Sequence, residues 1–369
     1  MKQREFYIDN LRILLTCLVV LHHLAITYGA AGTWYYIEDN TNAVSVFLLT
    51  LFTATNQAFF MGMFFMISAF FLDKSCQKKP TAVILRDKFK RLGIPYIIYI
   101  LIVSPVILYL IALSTKNSSI SVMEFIATGR WTKPGPLWFN SALLIFTVIA
   151  LMFRNKISGK TDMKLPGDTK IAILAVTIGI CSFLVRTIYP VSTSIPFIGF
   201  QLAHFCQYII LFYAGLKASQ NNWFNQISYK RSIKWFKIVA VLIIIPFPLG
   251  FYLGGALEKG TDMFLGGFTV QSLFFAVWEQ VVGFGIIIGL IGLFKAKFNR
   301  QNTLQKKASD SAYTVFIIHA FVLVVLSLLI RDVNINSTAK FLIMAPVVLI
   351  ISFILSNILR RLPYFRQVL

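Results

Sequence analysis

An apolar stretch long enough to cross a bilayer carries an aspartate, an arginine and two histidines. It runs from Tyr7-Ile8-Asp9-Asn10-Leu11-Arg12 through Leu21-His22-His23-Leu24 to Tyr28. Ionisable groups are costly to hold inside a membrane, so their presence marks a functional candidate. Arg12 and His23 are eleven residues apart, which is about three helical turns, so they share one face with roughly 16 Å of rise between them. Asp9, Thr16 and Thr27 fall close to that stripe, while Leu11, Leu15, Leu18 and His22 lie on the neighbouring one. A neutral imidazole can take a proton near neutral pH, which suits His23 to activate a hydroxyl for attack on an acyl carbon. The planar fork of Arg12 suits phosphate or carbonyl oxygen; alternatively it snorkels to the headgroups as a helix-end cation. Asp9 either holds Arg12 in place or favours the helix start through the dipole. His22 sits about 100° round the helix and is expected to pack or support.

Other candidates are spread along the chain. The run Arg86-Asp87-Lys88-Phe89-Lys90-Arg91-Leu92-Gly93-Ile94-Pro95-Tyr96 offers Lys88 and Arg91 to an anionic nucleotide moiety, or is a basic loop that sets orientation. Ser68, in Phe64-Phe65-Met66-Ile67-Ser68-Ala69-Phe70-Phe71, either lines a tunnel for a thin acyl-pantetheine arm or allows close helix packing. Trp138, Glu279 and His319 are candidates for the acceptor side. Trp138 fits an interfacial belt equally well. Glu279 should face a polar cavity, either handling protons or pairing with a cation. His204 and His319 are otherwise satisfied interior histidines, and Arg186 either meets an acceptor sugar or anchors its helix. Cys17, Cys76, Cys181 and Cys206 show neither disulfide nor zinc spacing, so no metal is expected.

The elements that must position these residues follow from composition. Hydrophobic residues make up 57% and charged residues 13% of the 369, with mean hydropathy +0.74, too apolar for one soluble core. The net charge of +21 resides in short loops between apolar runs, which argues against nucleic acid as a partner and for a lipid bilayer. Asp9, Arg12 and the paired histidines also argue against a cleaved signal peptide. Spans of about 20 residues are expected at 10–31, 43–72, 94–114, 136–153, 171–189, 200–216, 236–256, 270–294, 311–330 and 340–359. The second is overlong, so it should break or tilt near Gly62. Alternate loops hold 28 of the 35 lysines and arginines on one side, and the basic side is the cytoplasm. The expected fold is therefore an all-α integral membrane protein. It is a bundle of about ten transmembrane helices forming a single domain over 1–369, with both termini cytoplasmic.

On these residues the chain resembles the membrane acyltransferase-3 family, ten-span bacterial proteins that acylate carbohydrate hydroxyls, with glucan-modifying members among the nearer relatives. The resemblance rests on Ile8-Asp9-Asn10-Leu11-Arg12 with its Arg-x10-His ending at His23, and on the Phe-rich, Ser-containing end of the second span. It rests also on Arg91-Leu92-Gly93-Ile94-Pro95-Tyr96, Gly135–Phe139 and Ala312-Tyr313-Thr314-Val315-Phe316-Ile317-Ile318-His319. It implies a catalytic role for His23 with Arg12, and an acyl-CoA donor, usually acetyl-CoA, approaching from the cytoplasm of a bacterial cell. The family's paired arginines appear here as Lys88-x-x-Arg91, and a lysine lacks the bidentate fork. The family's Ser-Gly is Ser68-Ala69 here, which narrows any backbone approach at that point.

Together these features describe an acyltransferase moving an acyl group, acetyl first, from cytoplasmic acyl-CoA to a hydroxyl of a carbohydrate or glycan acceptor. His23 would be the general base, with Arg12 orienting the donor and Lys88 and Arg91 holding its phosphates. The competing class is a proton-coupled transporter or exporter of a small polar or lipid-linked solute, with Glu279 and the histidines as the relay. A repeated pair of broken helices, the mark of many transporters, is not evident in the sequence.

Overall fold

Backbone N–H and C=O groups in hydrocarbon must be satisfied within their own segment, so isolated apolar runs cross as helices. The protein is described by a computed structural model over residues 5–39, 42–115, 120–157 and 162–362. Among these residues every regular element is helical, and nine helices are long and apolar enough to cross a membrane. The segment expected at 200–216 forms Phe205–Gln220, 16 residues long, after a tight turn at Leu202–His204. That is shorter than the roughly 20 residues a full hydrocarbon crossing asks for. Of the basic residues that set the expected orientation, Lys2, Arg4, Lys116, Lys160 and Arg366 lie outside the described residues.

Two segments depart from expectation for visible reasons. The overlong second run does break, at Ala58 and Phe59, a few residues before Gly62, between helices Ala43–Gln57 and Phe60–Cys76. The Ala58 carbonyl released by the break accepts from Gln207 Nε2 at 2.8 Å, so no buried acceptor is stranded. Gly62 is instead a packing glycine: a β-carbon there would collide with Leu211 and Gln207. Gly283 likewise lets its helix press against the Ala58 carbonyl.

The second departure is the basic stretch expected as a loop, which is helical from Thr81. Pro95 has no N–H to offer the Arg91 carbonyl one turn back. The helix widens into a π turn over Phe89–Gly93, and the freed Arg91 carbonyl accepts from the Tyr313 hydroxyl instead. Asn140 Nδ2 donates to the same hydroxyl at 2.9 Å. The backbone of this turn is thereby tied to two other helices.

Burial separates central from peripheral helices. Val270–Lys297 is buried along 83% of its apolar window and Phe6–Thr27 along 61%, against 11% for Tyr229–Leu253. The start of the first helix is tied down, because Asn10 Nδ2 donates to the carbonyls of Phe298 (2.7 Å) and Arg300 (3.0 Å). Tyr7 N donates to Asn299 Oδ1 at 3.2 Å, which holds Asp9 and Arg12 in place. The helix Thr303–Leu329 starts in a reciprocal cap between Asn302 and Gln305, and it carries Tyr313, Phe316 and His319 to the first helix.

Candidate active site

One end of the bundle opens into a cavity of about 2060 Å³. Arg12, Asp9, Ser68, Lys88 and Arg91 all line it, so five candidates from three separate stretches of sequence meet in one space. Among the described residues ten lysines and arginines line the cavity against five carboxylates. Arg12 Nη1 lies 3.6 Å from Asp9 Oδ1, and Lys88 sits within the electrostatic field of both Arg91 and Arg12. Like charges gathered at this density repel unless an anion joins them. At the rim, Lys74 pairs with Glu5 at 2.5 Å and Lys79 with Asp87 at 2.7 Å.

The first helix then leaves the cavity. Asp9, Arg12 and Thr16 line it, but His23 lies beyond its end. Of the two, only Arg12 therefore lines the cavity. The two do share a helix face.

His23 is half-buried and belongs to a stack of three rings. Its Nδ1 lies 3.1 Å from His319 Nε2, and its face packs on Trp34 with centroids 3.7 Å apart. His319, fully buried, has Nδ1 2.7 Å from the Phe316 carbonyl. A carbonyl can only accept, so His319 Nδ1 carries the proton, and in the neutral ring Nε2 is left with a lone pair. That lone pair in turn takes the Nδ1–H of His23. These partners assign the free lone pair of a neutral His23 to Nε2, which is able to take a proton from an approaching hydroxyl. His22 is buried beside the Phe60 ring, with centroids 4.9 Å apart, and packs as expected.

Trp34 is a residue the sequence did not single out. It comes from the segment 28–39, held by Ala31 N donating to Thr50 Oγ1 at 2.9 Å, Glu38 N donating to the Thr27 carbonyl at 2.8 Å, and Glu38 pairing with Lys340 at 2.6 Å. Burial raises the Glu38 carboxyl above its ordinary range, against the pull of Lys340. The only sequence signal for Trp34 is a large aromatic in a short link directly after the histidine helix.

The other candidates are elsewhere. Glu279 is paired with a cation, since it ion-pairs with Arg186, and His204 Nδ1 lies 3.2 Å from its other oxygen. All three are buried. Arg186 is therefore neither exposed to an acceptor nor a surface anchor. Trp138 packs into an aromatic cluster with Phe65, Phe200, Phe205 and Tyr208 and lies outside the cavity lining. Among the described residues no group of three or more His, Cys, Asp or Glu side chains is placed to hold a metal ion.

Apolar helices long enough to cross, a cationic cavity at one end and an interior histidine pair define a multi-pass membrane protein with an internal site. A family model described as an acyltransferase domain matches residues 5–357, and the chain belongs to that family, acyltransferase-3, as the motifs implied. It is similar to glucans biosynthesis protein C of Escherichia coli strain K12, 26% identical over 230 residues that cover 58% of each chain. The protein of the same name from Shigella dysenteriae serotype 1 (strain Sd197) matches with the same identity and coverage. The chain thus spans 58% of the length of these curated relatives. No solved structure matches the chain.

Proposed function

We propose that the protein transfers an acyl group, acetyl in the simplest case, from acyl-CoA to a hydroxyl of a carbohydrate acceptor. The observation that carries this is the order of groups along the first helix. The cationic cavity holds Arg12, and the proton-accepting Nε2 of His23 lies two turns beyond its last lining residue, Thr16. The cavity's excess of positive charge suits the phosphates of a nucleotide thioester, with Lys88 and Arg91 as the principal partners. The carbohydrate acceptor is read from the family and from relatives named for glucan biosynthesis.

In this reading the acceptor hydroxyl approaches from the side of Trp34. Its oxygen bonds to the thioester carbonyl carbon as its proton passes to His23 Nε2. The carbon–sulfur bond then breaks, and the thiolate leaves with the proton returned by His23. The π face of Trp34 favours the transient imidazolium. Ser68 and Arg12 guide the donor arm, and Arg12 orients it through the phosphate or carbonyl oxygen. His319 acts on the acceptor side indirectly, by fixing the His23 tautomer, whereas Trp138 and Glu279 serve the packing and charge balance of the bundle rather than the acceptor.

We take Phe205–Gln220 as a tenth crossing. It runs alongside Phe60–Cys76 and ends at Gln220 and Asn221, which line the cavity mouth. The whole chain is then one polytopic domain in a bacterial inner membrane, with both termini and the cavity mouth on the cytoplasmic side, where acyl-CoA is found. The test is transfer of radiolabel from acetyl-CoA to glucan by the purified protein. Label in glucan that is lost in His23→Ala supports the proposal. Solute flux across proteoliposomes without any acyl-CoA requirement would replace it with a transporter.

A further inference from the structure

The end of the cavity is built from three aromatic rings on three helices. Phe64, Phe139 and Phe316 all line the cavity. Their centroids lie 5.8 Å (Phe64–Phe139), 6.4 Å (Phe64–Phe316) and 5.8 Å (Phe139–Phe316) apart. Rings at these separations are in mutual contact, so the three meet as a closed triangle.

What lies on either side is consistent along each helix. On the first helix Arg12 and Thr16 line the cavity and His23 does not. On Thr303–Leu329 the order is Ala312, Tyr313 and Phe316 in the cavity, then His319 one turn beyond. On Phe60–Cys76, which runs the other way, Ser68 and Phe64 line the cavity, and Phe60 lies beyond against His22. The triangle therefore stands between the cations and the histidine pair. The Phe316 carbonyl is also the partner of His319 Nδ1, so this residue belongs to both the barrier and the support of the base.

We infer that Phe64, Phe139 and Phe316 form an aromatic constriction that sets which acyl chains reach His23. This rests on the proposed acyl-CoA reading. Phe139 and Phe316 are buried, and Phe139 is buttressed by Phe65 at 4.8 Å, whereas Phe64 is only half-buried. Phe64 is the ring that swings aside. The slot it vacates admits a thin pantetheine arm with a short acyl group and meets a long chain with steric resistance. Closed, the triangle keeps cytoplasmic water from the thioester and the imidazole.

The experiment compares acetyl-, butanoyl- and octanoyl-CoA with wild type, Phe316→Ala and the milder Phe64→Leu. The constriction predicts that the octanoyl-to-acetyl ratio of kcat/KM rises by about tenfold or more in the variants, the scale of discrimination by a few methylenes in an apolar site. It also predicts more thioester hydrolysis without acceptor. Variants that still transfer acetyl with the wild-type ratio overturn it. A second measurement is independent of any acyl donor. With Cys17, Cys76, Cys181 and Cys206 replaced by alanine, a membrane-impermeant thiol reagent is added from the cavity side to His23→Cys. Faster labelling when Phe316→Ala is also present supports the barrier, and an unchanged rate overturns it. Failure of wild type to use any acyl-CoA, together with ring-dependent labelling, would refute the donor and not the constriction.

Discussion

Two groups of charged side chains in this protein are treated in opposite ways. In the cavity, cations outnumber carboxylates ten to five among the described residues, in a space open to solvent. In the bundle interior, Arg186, Glu279 and His204 are buried and the Arg186 and Glu279 charges pair, although Arg186 Nε and Nη1 and His204 Nε2 find no hydrogen-bond partner among the described residues. A buried ion pair that is complete is a structural element, since removing one partner strands the other in low dielectric. A cluster at an opening whose cations outnumber its carboxylates is a place prepared for an anion. Charge alone therefore does not identify a site in a membrane protein; charge balance does.

The largest effects should separate chemistry from structure. His23→Ala is expected to lower acyl transfer by about 10²–10⁴-fold, the usual contribution of a general base, with a smaller fall in the melting temperature of the detergent-solubilised protein than Glu279→Ala causes, because His319 Nε2 loses one neutral partner. Glu279→Ala should do the reverse at first hand. It leaves Arg186 without its carboxylate and should cost about 3–5 kcal/mol of stability, read as a fall in melting temperature. Combining Glu279→Leu with Arg186→Met should recover most of that loss. A Glu279 variant that keeps wild-type stability but loses transfer would move this cluster into the catalytic machinery and erase the contrast.

In the cavity, replacing Lys88 and Arg91 together with Gln should raise the apparent KM for acyl-CoA by about tenfold, the scale of one charge-assisted contact or so. The KM for acceptor should stay nearly constant, and the loss should shrink as ionic strength rises. A defect confined to acceptor KM would remove the donor from this cavity. The smallest effect concerns the paired histidines: His22→Ala should reduce transfer by less than about tenfold, well below the general-base range. Equal losses from His22→Ala and His23→Ala would show that the face assignment on the first helix is mistaken.

Much of this was legible in sequence because it depended on spacing within one helix or on charge in short links. The Arg-x10-His stripe, the apolar runs and the basic stretch at 86–91 all fall in that class, and the structure gathers Arg12, Lys88, Arg91 and Ser68 round one cavity. What sequence could not show was which separate helices meet. His319 was visible as an interior histidine but not as the neighbour of His23, which lies 296 positions away. Glu279 was visible as a buried carboxylate whose partner could have been any cation. Phe64, Phe139 and Phe316 are three of 35 phenylalanines, and nothing local marks them as a triangle. A break in the overlong second run was expected near Gly62 and falls at Ala58 and Phe59; what sequence could not show is that the freed Ala58 carbonyl is met by Gln207 from a distant helix.

The most direct test of the whole account is single-turnover transfer of radiolabelled acetyl from acetyl-CoA by purified protein, for wild type, His23→Ala and His319→Ala across a pH series. Label should reach a glucan hydroxyl in wild type and be lost in His23→Ala. In His319→Ala it should be reduced with a displaced pH profile, because the tautomer of His23 is no longer held. Full transfer by His23→Ala would contradict the central claim that this imidazole takes the hydroxyl proton.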